Sequence, residues 1–440
     1  MMNSGILLSL SWKNLRRHRR RSLGSAAVAI VSVLALCVLF GYVSANLHLM
    51  RDAFMRWGAR GHLIIERPAS SLAQRLESGA KNPIDPPMQQ KIDRVLSTET
   101  SVLAVARVLE LSGMVTTARV ATAFSGIGED VESVRKIKGQ AYEFDVVAGR
   151  PLWMTPAPDD VVLGQGLAAV LGCDVPPAGF APLRAGESPE KRSFSCPRDP
   201  LQLSVIAEGT SHPNVSYRRP AGVMDWGIRE VNDRLVVLPL SAAQQLLDTH
   251  SVSAYHVMLR ADDDMSETQQ RLATAFRKEG IDAQIFRWSD RALFYWQAKG
   301  ILMTFFAFML SVAMIVAFAS LLNSSYMNFM HRKRELASLR CLGYTRGFLL
   351  ALAMLENAWL ALIAGALGVL AAIAVTASIR SAGWMWTPPG SSNAVPITVE
   401  WVPVVYVCSV AVLVLLAGLA AILPMRRILA VPIRVSLSDK

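Results

Sequence analysis

Few residues in this sequence stand where side-chain chemistry needs them. The seven histidines are scattered. His212 and Asp225, in SHPNVS and MDWG, come nearest to a His–Asp pair, but turn-forming residues surround both. A solvated turn fits them better than a triad, which needs nucleophile, base and orienter within hydrogen-bond reach. Asp159-Asp160 and Asp262-Asp263-Asp264 read as turn and helix-cap residues before they read as calcium ligands. The sequence has no GxxxxGK[ST] loop for nucleotide phosphates and no HExxH, CxxC or paired Cys/His spacing for zinc. No catalytic residue, cofactor or metal ligand is expected, and the chain reads as a non-enzyme.

The residues that do form a pattern lie in His331 to Gly347, HRKRELASLRCLGYTRG. Leu336, Leu339 and Leu342 recur at three-residue spacing, and Glu335–Leu342 has no helix breaker. A short helix with one apolar side follows, stopped by Gly343. Arg332, Lys333, Arg334, Arg340 and Arg346 make the segment basic. Such a helix at a membrane surface either turns the chain around or presents a face to a soluble partner.

The segment sits between two hydrophobic runs, 300–322 and 348–377, and two more occur at 23–45 and 402–422. Each approaches or exceeds the roughly 20 apolar residues that span a bilayer, so four transmembrane helices are expected. The chain of 440 residues is 52% hydrophobic, and the only charged residue inside these runs is Glu356. A net charge of +11 suggests nucleic acid at first sight. The excess, however, lies in residues 1–24, 331–347 and 424–440, each beside a span and all on one side. That distribution obeys the positive-inside rule and argues against a nucleic-acid partner.

The expected map therefore has a cytoplasmic amphipathic segment at 1–22, spans at 23–45, 300–322, 348–377 and 402–422, a cytoplasmic region at 323–347, and a tail at 423–440. Residues 46–299 form a large exterior head with helical stalks, and 378–401 a short exterior loop. The first run ends in Val43-Ser44-Ala45, like a cleavable signal, but it is longer than the usual apolar region of about 7–15 residues, so a retained helix is expected.

The head reads as mixed α/β. Strands are expected at 62–66, 102–108, 114–120, 122–127, 234–238, 254–260 and 282–287, and helices at 87–98, 165–171, 241–247 and 264–278. Residues 144–230, rich in Pro and Gly, read as an inserted subdomain. Cys173 and Cys196 are the only cysteines expected outside, where they either pair or stay free. Ala361, Ala364, Gly365 and Gly368 make small-xxx-small pairs that suit a packing or dimer face, or reflect ordinary Ala/Gly richness. Glu356, roughly two turns into the third span, is expected to snorkel or to pair with a basic neighbour rather than to relay protons.

Residues 332–368, RKRELASLRCLGYTRGFLLALAMLENAWLALIAGALG, resemble the permease subunits of MacB/FtsX/LolC-LolE-type ABC systems, the type VII family. The matching features are Glu335, Leu339-Arg340, Leu342-Gly343, Arg346 and Glu356. Segments 161–172, 234–247 and both basic ends are also similar, as is the order of one span, a large head and three spans. The resemblance implies a membrane α-helical protein with a MacB-like α/β periplasmic head, in the bacterial inner membrane. It implies that Glu335, Leu336, Leu339, Arg340, Leu342, Gly343 and Arg346 form a coupling helix docking on an ATPase. About 22 residues precede the first span, so that ATPase is expected to be a separate subunit. A second permease subunit, membrane lipid and a periplasmic adaptor or lipoprotein are the other implied partners. The implied function is extraction or export of a hydrophobic or amphipathic substrate, possibly lipoprotein. The alternative is mechanotransmission to a periplasmic enzyme or a sensor partner.

Overall fold

The computed structural model describes residues 19–67, 83–140, 146–154, 157, 159–175, 194–196, 200–206, 212–227, 229–262, 265–386 and 395–431. Most of the amphipathic N-terminal segment, Asp263, Asp264 and residues 432–440 lie outside them. The chain divides into two units, one of Met1–His48, Ala298–Trp384 and Ile397–Lys440, the other of Leu49–Gln297 and Met385–Pro396.

Helix α1 (Arg19–Asp52) has no internal proline and ends in a π-helical turn over Ala53–Trp57. Val43-Ser44-Ala45 lies within it, with Val43 and Ala45 buried.

The second unit is organised by a ten-stranded mixed sheet. β1 (Leu63–Glu66) lies between β9 (Ala254–Leu259) and β10 (Gln284–Arg287), antiparallel to both. β2 (Val102–Thr116) pairs with β9 on one side and with β3 (Ala121–Glu129) on the other. β8 (Leu235–Pro239) runs parallel to β3, and β5 (Asp160–Gly164), β7 (Pro213–Met224) and β4 (Val146–Gly149) continue beyond it. β6 (Leu201–Ile206) bridges β2 and β7.

The helices cover two apolar clusters. α2 (Pro86–Thr98) starts where the Asp85 carboxylate accepts from the Met88 N–H at 3.1 Å, with Pro at the first helical positions. It buries Ile92, Val95 and Leu96, while α7 (Met265–Lys278) adds Leu272 and Phe276 against Leu63, Ile65 and Val257. α4 (Gln165–Val170) and α6 (Leu240–Leu247) close the second cluster with Leu167, Ala243 and Leu246 over Val115, Leu163 and Leu203. The smaller helices α3 (Val131–Lys138), α5 (Arg229–Asn232) and α8 (Trp288–Arg291) complete the unit.

Two expectations for the head need correction. The strand foreseen at 102–108 and the start of the one foreseen at 114–120 are one continuous strand, β2, and residues 117–120 form the turn into β3. At Gly113 the Ser204 carbonyl of β6 approaches so closely that a Cβ would collide, so glycine here serves strand packing rather than a break. Residues 144–230 do not fold apart either, because β4, β5, β6 and β7 all join the same sheet.

In the other unit, α9 (Leu293–His331), α11 (Arg346–Ala382) and α12 (Pro403–Ala430) join α1 as helices long and apolar enough to cross a membrane. All four outrun the hydrophobic runs that predicted them. Residues 323–331 therefore belong to the second spanning helix, not to a cytoplasmic connection, and 423–430 belong to the fourth. Pro424 sits buried inside α12. The loop after α11 contains two paired segments, β11 (Met385–Trp386) and β12 (Val395–Pro396). Further on, the Glu400 N–H donates to the Gly41 carbonyl at 3.1 Å, where a side chain on Gly41 would strike the same loop.

Ala361, Ala364, Gly365 and Gly368 are buried within the unit. A Cβ on Gly365 would lie 3.1 Å from Val410 of α12, and one on Gly368 would lie 2.9 Å from the Ile30 carbonyl of α1. The small-residue face thus packs against α1 and α12 within the chain. Small side chains let three helix backbones approach, and dispersion contacts then replace lipid contacts.

Candidate functional site

The site lies where α9 gives way to α10 (Lys333–Cys341). The break is at Arg332, whose backbone leaves helical geometry at φ −104° and ψ 14°. α10 is nine residues long and runs down to Leu342, followed by Gly343 at φ +92°, a conformation glycine adopts without strain. α11 then begins under a Thr345 cap that accepts from the Phe348 N–H at 3.3 Å.

One side of α10 faces inward. Leu336 is 4% exposed, and with half-buried Leu339 it packs on Phe329, Phe348, Leu349, Leu352 and Met425. Leu336 is therefore spent on the protein's own core and does not lie on an open surface. Leu342, by contrast, is 76% exposed, and Cys341, Gly343, Tyr344 and Arg346 are exposed around it.

Two arginines tie the ends of α10 to other helices. Arg332, at the N-terminal end, donates from Nη1 to Glu356 of α11 at 2.7 Å and from Nε to Glu335 at 3.0 Å. Arg332 and Glu356 side chains are each 7% exposed, while Glu335 is half exposed. A buried guanidinium is tolerated because its donors meet carboxylates at hydrogen-bond distance. At the other end Arg340 Nη1 donates to the Leu429 and Val431 carbonyls at 3.3 and 3.1 Å. These lie at the end of α12, where helix carbonyls lack intrahelical partners and the dipole favours a cation.

Beside the buried pair, Asn357 Nδ2 donates to Ser325 of α9 at 2.6 Å, and Ser25 of α1 donates to Ser324 at 3.1 Å. Every spanning helix thus contributes a polar contact near this end of the unit. Glu356 pairs with Arg332, as expected of an intramembrane carboxylate with a basic neighbour. Arg340 and Glu335 each also make a hydrogen bond within the protein. Arg332 was visible only as one basic residue among five. Its spacing to Glu335 would have suggested a helix-surface pair, but nothing local pointed to Glu356.

Elsewhere, Cys173 and Cys196 form a disulfide against the second apolar cluster of the head. Asp225 is 1% exposed and accepts from Asn232 Nδ2 and, at 2.8 Å, from the Gly227 N–H. These bonds stabilise the turn. Among the described residues no group of His, Cys, Asp or Glu is placed to hold a metal ion. The contacts around α10 tie it to α11 and α12 and leave Leu342 open to solvent.

Fold and site define a polytopic membrane protein with a large α/β unit after its first spanning helix and a basic helix docked on the last two. Residues 307–433 match the FtsX-like permease C-terminal family. The match takes in most of α9 and all of α10, α11 and α12. No curated protein matches the chain. Among solved structures, the extracellular domain of the ABC-type transporter YknZ from Gram-positive bacteria is 12% identical, with 51% of this chain and 98% of that one covered at TM-score 0.32. The periplasmic region of MacB from Actinobacillus actinomycetemcomitans is 14% identical, covering 52% and 90% at TM-score 0.34. A domain of a permease-like protein from Porphyromonas gingivalis is 13% identical, covering 51% and 89% at TM-score 0.26.

Proposed function

We propose that this chain is the permease subunit of an ABC system in the bacterial inner membrane, and that it converts ATP hydrolysis on a partner ATPase into motion of its α/β head. The moved substrate is hydrophobic or amphipathic, with lipoprotein the leading class, taken at the outer face of the membrane. The observation that carries this reading is α10, a basic helix docked on the spanning helices with Leu342 76% exposed at its end. An exposed large apolar residue amid cations is suited to a pocket in a soluble partner. The sequence shows no phosphate-binding loop of its own, so the partner would supply it.

A second permease subunit fits the unequal packing of the spans. Only 6% of the apolar window of α9 is buried, against 28%, 33% and 28% in the other three. Its open face would meet lipid, a second permease or the substrate.

Affinity purification of the tagged chain from detergent-solubilised membranes, with mass spectrometry, tests the reading. An ATPase is expected together with lipoproteins or an adaptor, and Leu342→Asp is expected to lose the ATPase while still inserting. Retention of no ATPase by the wild-type chain would overturn the proposal. A soluble periplasmic hydrolase in place of lipoproteins would redirect it to mechanotransmission.

A further inference from the structure

Arg332 is the residue at which α9, α10 and α11 meet. Its guanidinium is a planar fork with donors on different edges, and here two edges serve two elements: Nη1 reaches Glu356 of α11 and Nε reaches Glu335 of α10. At the far end of α10, Arg340 binds the last carbonyls of α12. Between the arginines, Leu336 fills a cluster built from α11, α12 and, through Phe329, the end of α9. The nine-residue helix is therefore tied at its two ends by side-chain bonds to α11 and α12, with the end of α9 packed beside its middle. α9 precedes it in sequence, yet it is the least buried of the spanning helices.

We propose that Arg332 is a positioning residue that makes α10 a rigid extension of the α11–α12 pair, so that a displacement of α10 is delivered to those two helices rather than lost in the joint after α9. Resting on the proposed function above, this names the part of the permease that takes up the ATPase's push. The distinctive requirement is the fork. Lysine keeps the charge but offers one nitrogen, which cannot hold Glu335 and Glu356 in this geometry. An apolar pair in place of Arg332 and Glu356 removes the buried charges altogether, which is often neutral or stabilising. It restores folding without restoring the tie to Glu335.

The test uses the full-length chain in lipid nanodiscs with Cys408→Ser and a spin label on Cys341, which is exposed at the end of α10. Wild type is expected to show an immobile α10. In Arg332→Lys, and in the double variant Arg332→Met with Glu356→Met, the mobile fraction should rise roughly tenfold, the factor carried by one lost charge-assisted hydrogen bond. The double variant should keep the wild-type unfolding midpoint. Where the ATPase co-purifies, nucleotide-driven change at the label should fall in parallel. A double variant with the wild-type spectrum and wild-type nucleotide response would overturn the proposal, leaving the pair with only a stabilising role. If the wild-type chain binds no ATPase, the functional reading fails while the mobility measurement still decides whether Arg332 positions α10.

Discussion

His62 donates from Nε2 to an oxygen of Asp262 across 2.7 Å, while its Nδ1 accepts from the Leu259 N–H at 3.1 Å. The backbone amide thus leaves Nε2 as the donor and aims it at the carboxylate. His62 is 1% exposed, and Asp262 also meets Arg51 at 3.0 Å, so one carboxylate joins the start of β1, the end of β9 and the end of α1.

The hydrogen bond from His62, aided by Arg51 and opposed by partial burial, holds the Asp262 carboxyl below the usual carboxylate range. A depressed folded value means the contribution is complete above the unfolded value, about 3.9, and is lost as pH falls through the folded one. Asp262→Asn is expected to cost about 1 kcal/mol at neutral pH, at the low end for a bond to a charged group because the side chain is half exposed. Thermal unfolding of the solubilised protein at pH 7 and at pH 3 checks this. The difference between wild type and variant should shrink at the lower pH.

The close approach of α11 to α1 at Gly368 leaves no room for a side chain. Gly368→Val is expected to destabilise by about 1–3 kcal/mol through overpacking, since the obstacle is the Ile30 carbonyl, which cannot move aside like a flexible side chain. Leu370→Ala, on an exposed side of the same helix, is expected to stay within about 0.5 kcal/mol. Denaturant titration in detergent reads both, and equal losses would contradict the packing described.

The Cys173–Cys196 bridge closes a loop with a sequence separation of 23. By chain entropy its loss is expected to cost about 3 kcal/mol. Thermal unfolding of Cys173→Ser with and without reductant measures it, and reductant should lower the wild-type midpoint but not that of the variant. Alkylation of denatured, unreduced protein should modify Cys37, Cys341 and Cys408 only.

Glu356→Ala leaves the Arg332 guanidinium buried without its carboxylate on α11. A loss of about 3 kcal/mol is expected, at the low end for a broken buried pair because half-exposed Glu335 stays beside Arg332, and more than for removing both charges together. Comparing Glu356→Ala with Arg332→Met plus Glu356→Met in one denaturant series checks the order.

Much of the architecture was legible from local sequence. Hydropathy located the four spans, because a stretch of about 20 apolar residues has few other fates. Apolar spacing located α2, α6 and α7 nearly to the residue, as each buries one stripe against the sheet. The stop of α10 followed from Gly343, whose positive φ is a property of that residue alone.

What depended on distant partners was not legible. Hydropathy overlooked the polar ends of the spanning helices, since residues such as Asn323 and Ser324 carry no apolar signal yet continue the helix. The 144–230 section looked separate because its composition differs, but unpaired strand edges must find partners, and the nearest were β2 and β8. The three-residue spacing of Leu336, Leu339 and Leu342 implied a single apolar side, whereas packing buried the first and exposed the last. Arg332 and Glu356 are 24 positions apart, and Arg340 reaches a carbonyl 89 positions away. Sequence periodicity reports which side of a helix is apolar or charged. Which side is taken by the protein itself and which is left for a partner is decided by the neighbouring helices, because burial and charge pairing are energies of contact.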